Sequence, residues 1–133
     1  MRFASLFLCG LAGLMLLTFT GCDSKQESAR KKMISLMNDY ADTLGDIKSN
    51  TDFVDAKPKI EKVGAKMKDL MNEVKALPTP PADEEKKLDE KFEPDMKKAE
   101  ARIQTEMERL GKLGVNPFEI LEAMKIDPTD MPH

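Results

Sequence analysis

Residues 53–77 read FVDAKPKIEKVGAKMKDLMNEVKAL, and this stretch decides the fold class. Its apolar residues recur at alternating intervals of three and four: Phe53, Ala56, Ile60, Val63, Met67, Leu70, Val74 and Leu77. An α-helix has 3.6 residues per turn, so this spacing places them all on one face. The stretch therefore predicts a long helix whose apolar stripe packs against other helices.

The segments on either side show a similar periodicity. The stripes are Met33, Met37, Tyr40, Leu44 and Ile47 before the stretch, and Leu88, Phe92, Met96, Ala99, Ile103, Met107 and Leu110 after it. Ser49-Asn50-Thr51 and Pro78-Thr79-Pro80-Pro81 contain residues that interrupt helices, so they mark the two breaks. Short connections between helices of similar length predict antiparallel neighbours.

Two prolines fall inside these periodic segments. Proline lacks a backbone N–H and clashes with the preceding helical turn. Pro58 is one turn into the second helix, so we expect that helix to restart there with proline at its first position. Pro94 is deeper in the third segment, where we expect a kink.

A short fourth helix is predicted after Gly111 and Gly114. Asn116-Pro117-Phe118-Glu119 has a capping residue, a proline at the first helical position and a glutamate three residues after the cap. This helix should run to about Lys125 and end before Pro128. Its apolar residues Phe118, Leu121 and Met124 could cover an open end of the bundle.

The predicted fold is therefore all-α, an antiparallel three-helix bundle with a short C-terminal helix. Three stripes that face one axis can bury one another, which favours a monomer. The alternative is an extended helical hairpin that completes its core as a homodimer, because an outward-facing third stripe would leave an apolar patch exposed.

The N-terminus has the pattern of an export signal. A short positive start at Arg2 precedes an apolar run from Ala4 to Phe19, which is shorter than the ~20 residues that span a membrane. The run ends at Phe19-Thr20-Gly21-Cys22. Only Cys9 and Cys22 occur in the chain, and Cys9 lies inside the expected signal, so Cys22 would have no disulfide partner.

Residues 19–22 resemble the bacterial lipobox, with Phe19 in place of the preferred leucine. The resemblance implies that a diacylglyceryl group is attached to the Cys22 thiol, that residues 1–21 are removed, and that the new amine is acylated. Two or more acyl chains hold a protein stably at a membrane. The alternatives are an ordinary secretory signal cut near Gly21 and an uncleaved helical anchor.

The lipobox resemblance sets the expected domain organisation and location. Residues 1–21 form the signal peptide, 22–28 the lipidated cysteine and a short tether, 29–126 the helical domain, and 127–133 a polar tail. The domain would lie on the extracytoplasmic side of the bacterial envelope, in the periplasm if there are two membranes. An envelope protein is the expected partner besides the membrane.

Composition and residue types exclude most catalytic chemistry. The chain has 21 Lys and Arg against 24 Asp and Glu, or 20 against 24 once residues 1–21 are removed, and the two signs alternate without a basic stripe. We therefore expect no nucleic acid partner. The single histidine is His133, so neither a histidine-dependent nucleophile nor a zinc site is available. We expect no enzyme activity and no cofactor.

Two groups of residues are candidates for binding. Met33 and Met37, like Met67 and Met71, are one helical turn apart, and a turn near residue 50 would bring Met33 level with Met67. Thioethers are soft ligands that suit Cu(I), so these four are the candidate metal ligands. Methionine also fills irregular cores, which is the alternative interpretation. The basic run Arg30-Lys31-Lys32 would lie near lipid headgroups or form a solvated face.

About half of the chain resembles the b-type four-helix cytochromes. Met33 and Met37 lie early in the first helix, where that family has its haem methionine. Residues 52–77 and the following Pro78-Thr79-Pro80-Pro81 resemble its second helix and proline-rich loop. The family also needs an axial histidine on its last helix, and this chain has none there. The resemblance therefore implies a haemless bundle of related shape, with no functional residue carried over.

Overall fold

The computed structural model describes residues 24–125. Within this range the chain forms four α-helices and no strand: α1 (Lys25–Gly45), α2 (Asn50–Lys75), α3 (Ala82–Lys112) and α4 (Pro117–Met124). The predicted all-α class and the break at residues 78–81 are therefore confirmed, whereas the first break lies at 46–49, and Asn50 and Thr51, which the sequence predicts to be part of it, open α2. The expected signal peptide, Cys22 and the tail 127–133 lie outside the described residues.

Side-chain caps fix where three of the helices begin. The Ser24 hydroxyl accepts a hydrogen bond from the backbone N–H of Glu27, so α1 starts at Lys25, inside the segment expected to be a tether. Ser49 caps α2 in the same way through the N–H of Asp52. Asn116 accepts from the N–H of Phe118 and Pro117 is the first residue of α4, as predicted. Such caps satisfy backbone donors that have no partner within the helix.

The prediction that α2 restarts at Pro58 is wrong, because α2 is continuous from Asn50 to Lys75. A proline at position 58 leaves the carbonyl of Val54 without its usual donor. Val54 is exposed, so water can satisfy that carbonyl. Phe53 before the proline and Ile60 after it are both buried, and this packing holds the two parts on one stripe. Helix α3 likewise runs through Pro94, where the kink stays a prediction.

Helix α1 is the centre of the arrangement. It packs against both α2 and α3, whereas α2 and α3 barely approach each other and α4 packs mainly against α2. Leu44, Ile47, Ile60, Leu110 and Ile120 are fully buried where the C-terminal parts of α1 and α3 meet the first half of α2 and the short α4. The main core therefore lies at the end of the bundle that α4 covers.

Polar contacts fix the relative directions of the helices. Lys32 contacts Glu73 at 2.9 Å, while Thr43 and Asp55 line one small cavity at the other end of the pair, so α1 and α2 run in opposite directions. The other two pairs run parallel. Their ion pairs are Glu27–Lys91 and Asp42–Arg102 between α1 and α3, and Lys57–Glu119 and Glu61–Lys125 between α2 and α4.

The predicted buried face of α4 is wrong in part. Ile120 and Met124 are 0% and 6% exposed, whereas Phe118 and Leu121 are 78% and 52% exposed. The reason is Gly64 on α2, where an added Cβ would lie 2.1 Å from the carbonyl oxygen of Met124. The absent side chain lets the end of α4 touch the α2 backbone and turns Ile120 and Met124 inward.

Arg109 on α3 closes the C-terminal end of α1. Its Nη2 donates to the carbonyl of Leu44 at 2.8 Å, and its Nη1 donates to that of Ile47 at 2.9 Å. Its Nε donates to Glu106 at 2.7 Å, which fixes the guanidinium. The last carbonyls of a helix lack partners within it. The sequence alone does not show this contact, because Arg109 lies about 60 residues from its acceptors.

Candidate functional site

The predicted lipidation site, Cys22, lies outside the described residues. Ser24, the first of them, already caps α1, so only Asp23 separates Cys22 from the capping residue. Between residues 24 and 125, none of the helices combines the length and the apolar character needed to cross a bilayer. Whatever is attached to Cys22 would therefore sit close to the start of α1.

The basic run near this end is engaged in ion pairs. Arg30 contacts Asp89 of α3 at 2.6 Å, and Lys32 contacts Glu73 of α2 at 2.9 Å. Lys31 pairs with Glu27 within α1 at 3.2 Å. These contacts join α1 to both of its neighbours, which favours a solvated, ion-paired face over a dedicated headgroup site. Exposed pairs of this kind each contribute roughly 0–1 kcal/mol.

Methionines lie mostly at the edge of the core. Among residues 24–125, Met37 and Met124 are buried, and the half-buried methionines are Met33, Met67, Met71, Met96 and Met107. The same part of the chain has no cluster of three or more His, Cys, Asp or Glu side chains placed to hold a metal ion. A metal ion bound by side chains of residues 24–125 without such a cluster would depend on the methionine thioethers.

The register between α1 and α2 changes which candidate ligands lie at the same level. Lys32 pairs with Glu73, so the neighbouring Met33 is level with Met71 and about a turn away from the level of Met67. The expected pairing of Met33 with Met67 is therefore wrong. Met37, one turn further along α1, takes the level of Met67. The linker at 46–49 sets this offset between α1 and α2. The prediction assumes a turn near residue 50 and therefore gives a different offset.

Helix α3 adds a methionine that the sequence interpretation did not include. The contacts Glu27–Lys91 and Asn38–Arg102 each join residues of α1 and α3 that are 64 positions apart, which brings Met96 within one residue of the level of Met33. Met96 borders a surface cavity of about 460 Å³ together with Arg30 and four charged residues of α3: Asp89, Glu93, Lys97 and Glu100. Phe92 is one turn away and buried.

Tyr40 is the one buried residue of the described range whose side-chain oxygen has no hydrogen-bond partner. Burial raises the pKa of this phenol from 10.0 to about 12, because ionisation inside the core is unfavourable. It is also the only tyrosine in the chain, which has no tryptophan. Its absorbance and fluorescence therefore report on the core alone.

Among the described residues, four of the five exposed large apolar side chains lie at the end of the bundle away from Ser24, and the fifth, Val74, lies in the other half. Val54 and Leu113 are 61% and 43% exposed, and both lie near the turns at 46–49 and 113–116. Phe118 and Leu121 occupy the outer side of α4, which begins at the same end. Single exposed apolar residues are ordinary, but four at one end are typical of an interaction surface.

Comparison of the chain with protein-family models, with curated proteins and with solved structures gives no match.

Proposed function

We propose that this protein is a bacterial envelope lipoprotein, held at a membrane by lipid on Cys22, whose helical domain binds another envelope protein and is not an enzyme. The anchoring part is supported by the signal-like residues 1–21 and by the lipobox resemblance of residues 19–22. The domain would face the extracytoplasmic side, in the periplasm where two membranes are present.

We further infer a monomeric antiparallel three-helix bundle with a short C-terminal helix. The opposite directions of α1 and α2, and the parallel directions of α1 and α3, support an up-down-up order. Ile120 and Met124 of α4 complete the core within one chain, which supports the monomer. The hairpin dimer remains the alternative.

The observation that carries the interaction role is the exposed apolar end. Helix α1 has 21 residues and rises ~1.5 Å per residue, so with α1 perpendicular to the membrane Phe118 and its neighbours would stand ~30 Å from its surface. An apolar surface at that distance is available to a protein partner and is too far away to insert into the anchoring bilayer.

In-cell photo-crosslinking tests the interaction role. A photoreactive amino acid at Phe118 should give one defined crosslinked species, and the same group at exposed Lys62 on α2 is the control. Leu121→Ser should remove the crosslink without changing the amount of protein, because Leu121 is exposed and its loss costs little stability. A crosslink that is equally strong at both positions, or that survives Leu121→Ser, contradicts the proposal.

Mass spectrometry of the membrane fraction tests the anchor separately. The expected mature N-terminus is Cys22 carrying diacylglyceryl and an N-acyl group. Cys22→Ser should leave the precursor uncleaved or release the protein from the membrane. An unmodified N-terminus, or one at another residue, would exclude the lipid anchor while leaving the crosslinking result intact.

A further inference from the structure

We propose that Met33, Met71 and Met96 form a binding site for a soft monovalent metal ion, with Cu(I) as the candidate and Ag(I) as its redox-inert equivalent. The proposal goes beyond the interaction role and does not depend on Cys22. It rests on the positions, burial and surroundings of the three thioethers.

Two ion pairs, from α1 to each of its neighbours, place the three methionines at one level of the bundle. Lys32–Glu73 aligns Met33 with Met71 on α2, and Glu27–Lys91, whose residues are 64 positions apart, brings Met33 within one residue of the level of Met96 on α3. Three helices therefore each supply one thioether at this level. Side chains of three neighbouring helices at one level can converge on a single ion, as in other metal sites of helical bundles.

The burial of these methionines leaves their thioethers accessible. In the same half of the molecule the fully packed positions are occupied mostly by other residue types: Ala29, Leu70, Leu88, Phe92 and Ala99. Met33, Met71 and Met96 are half-buried instead. Half-buried thioethers can be reached from solvent by an ion, whereas fully packed ones cannot.

The same half of the molecule is accessible from solvent. Helices α2 and α3 barely approach each other there, and α4 ends at the level of Gly64, before Met67 and Met71. The cavity bordered by Met96 carries three carboxylates against Arg30 and Lys97. A monovalent cation would therefore meet a mildly negative rim on its way to Met96.

The chemistry selects a soft ion. Thioether sulfur binds Cu(I) and Ag(I), whereas Mg²⁺ and Ca²⁺ prefer carboxylate, carbonyl and water oxygen. Zn²⁺ would require thiolate, imidazole or carboxylate ligands, and the described part of the chain has no cluster of these. Binding involves no change of oxidation state in either the ion or the protein.

Cu(I) competition against a chromophoric chelator tests the site on the full-length protein extracted from membranes in detergent. Free thiols are alkylated first, because a thiolate would bind Cu(I) more tightly than a thioether. One Cu(I) per chain is expected. Met33→Leu, Met71→Leu and Met96→Leu should each weaken binding by at least about tenfold, or ~1.4 kcal/mol. Methionine and leucine have similar volumes, so the fold should survive, which circular dichroism checks.

Met107→Leu and Met124→Leu are the matched controls, since both lie in the half that contains the main core. They should leave the affinity unchanged. In spectra of protein labelled at the methionine methyl groups, Ag(I) should shift three resonances, which the Leu variants assign. Absence of saturable binding overturns the proposal. So does equal weakening by the control variants, or a site whose shifted methyl groups belong to Met37 and Met67.

Discussion

At the scale of single residues, Arg109 holds α3 to the end of α1 by donating to the carbonyls of Leu44, in the last turn of α1, and Ile47, in the linker that follows. Arg109→Met keeps the apolar stem and removes the donors to Leu44 and Ile47. We expect a loss of about 1–3 kcal/mol in the free energy of unfolding, because these partly buried carbonyls would lose a charged donor. Urea unfolding followed by circular dichroism measures it.

Arg102→Met is the control for this prediction. Arg102 also reaches from α3 to α1, but its partners Asn38 and Asp42 are side chains and Asp42 is exposed. Its loss should cost at most about 1 kcal/mol. Equal effects of the two substitutions would show that Arg109 is no more than another surface ion pair.

Gly64 and Gly111 make a second matched pair. In both, alanine should improve intrinsic helix propensity by about 1 kcal/mol. At Gly111 an added Cβ meets no atom within 4 Å, so Gly111→Ala should raise the melting temperature. At Gly64 it would collide with the backbone of Met124, and relieving such overpacking costs about 1–3 kcal/mol. Gly64→Ala should therefore lower the melting temperature, and a rise would mean that α4 is not seated on α2.

Tyr40 predicts how stability changes at alkaline pH. Its pKa is raised to about 12 in the folded protein, against 10.0 for the ordinary side chain. Between these values the unfolded chain loses the phenolic proton and the folded chain keeps it, so stability falls as pH rises. Phenolate absorbance should titrate near pH 12 in the folded protein and near 10 in urea. Tyr40→Phe should remove this part of the pH dependence, and identical titrations in both states would contradict burial of the hydroxyl.

At the scale of elements, α4 shows what periodicity can and cannot predict. Its sequence PFEILEAM has apolar residues on nearly every side, so a stripe through Phe118 and Leu121 and a stripe through Ile120 and Met124 both satisfy helical spacing. The cap at Asn116 predicts where the helix starts. The buried face depends on Gly64, about 50 residues earlier, which the local pattern does not include.

The two faces of α4 should respond differently to the same substitution. Ile120→Ser removes a fully buried side chain and should destabilise the protein by roughly 2–5 kcal/mol. Phe118→Ser changes an exposed side chain and should stay within about 0.5 kcal/mol of the parent. Thermal unfolding of both variants gives the comparison. A larger loss for Phe118→Ser would mean that the outer face of α4 is covered.

The longer helices likewise combine features that local periodicity predicts with features that it does not. The stripe of α2 predicts a single helix from Phe53 onward, and the break residues predict that two linkers exist, although the first lies at 46–49 and not at 49–51. Pro58 is misleading because local chemistry favours a restart while the buried residues on both sides hold one continuous helix. The level of Met33 is misplaced because the offset between neighbouring helices depends on the linker at 46–49 and on interhelical contacts. Neither the linker nor the interhelical contacts can be read from the apolar stripe of a single helix.

At the scale of the whole molecule, we expect a monomer. The domain from Asp23 onward, expressed without lipid, should sediment at equilibrium with the mass of one chain over a wide concentration range. The physical reason is that Ile120 and Met124 of α4 complete the main core within one chain. A mass near twice that of the chain at micromolar concentration would favour the hairpin dimer.

The central position of α1 has a mechanical consequence. Cys22 precedes this helix by three residues, and the apolar end lies beyond its other terminus, so a pulling force between membrane and partner would run along its axis. The ion pairs of α1 with α2 and α3 reach sideways across that direction. They would be loaded in shear and would resist together, whereas bonds pulled apart from one end fail one after another. Held at these two points, the domain should act as a stiff strut about as long as α1.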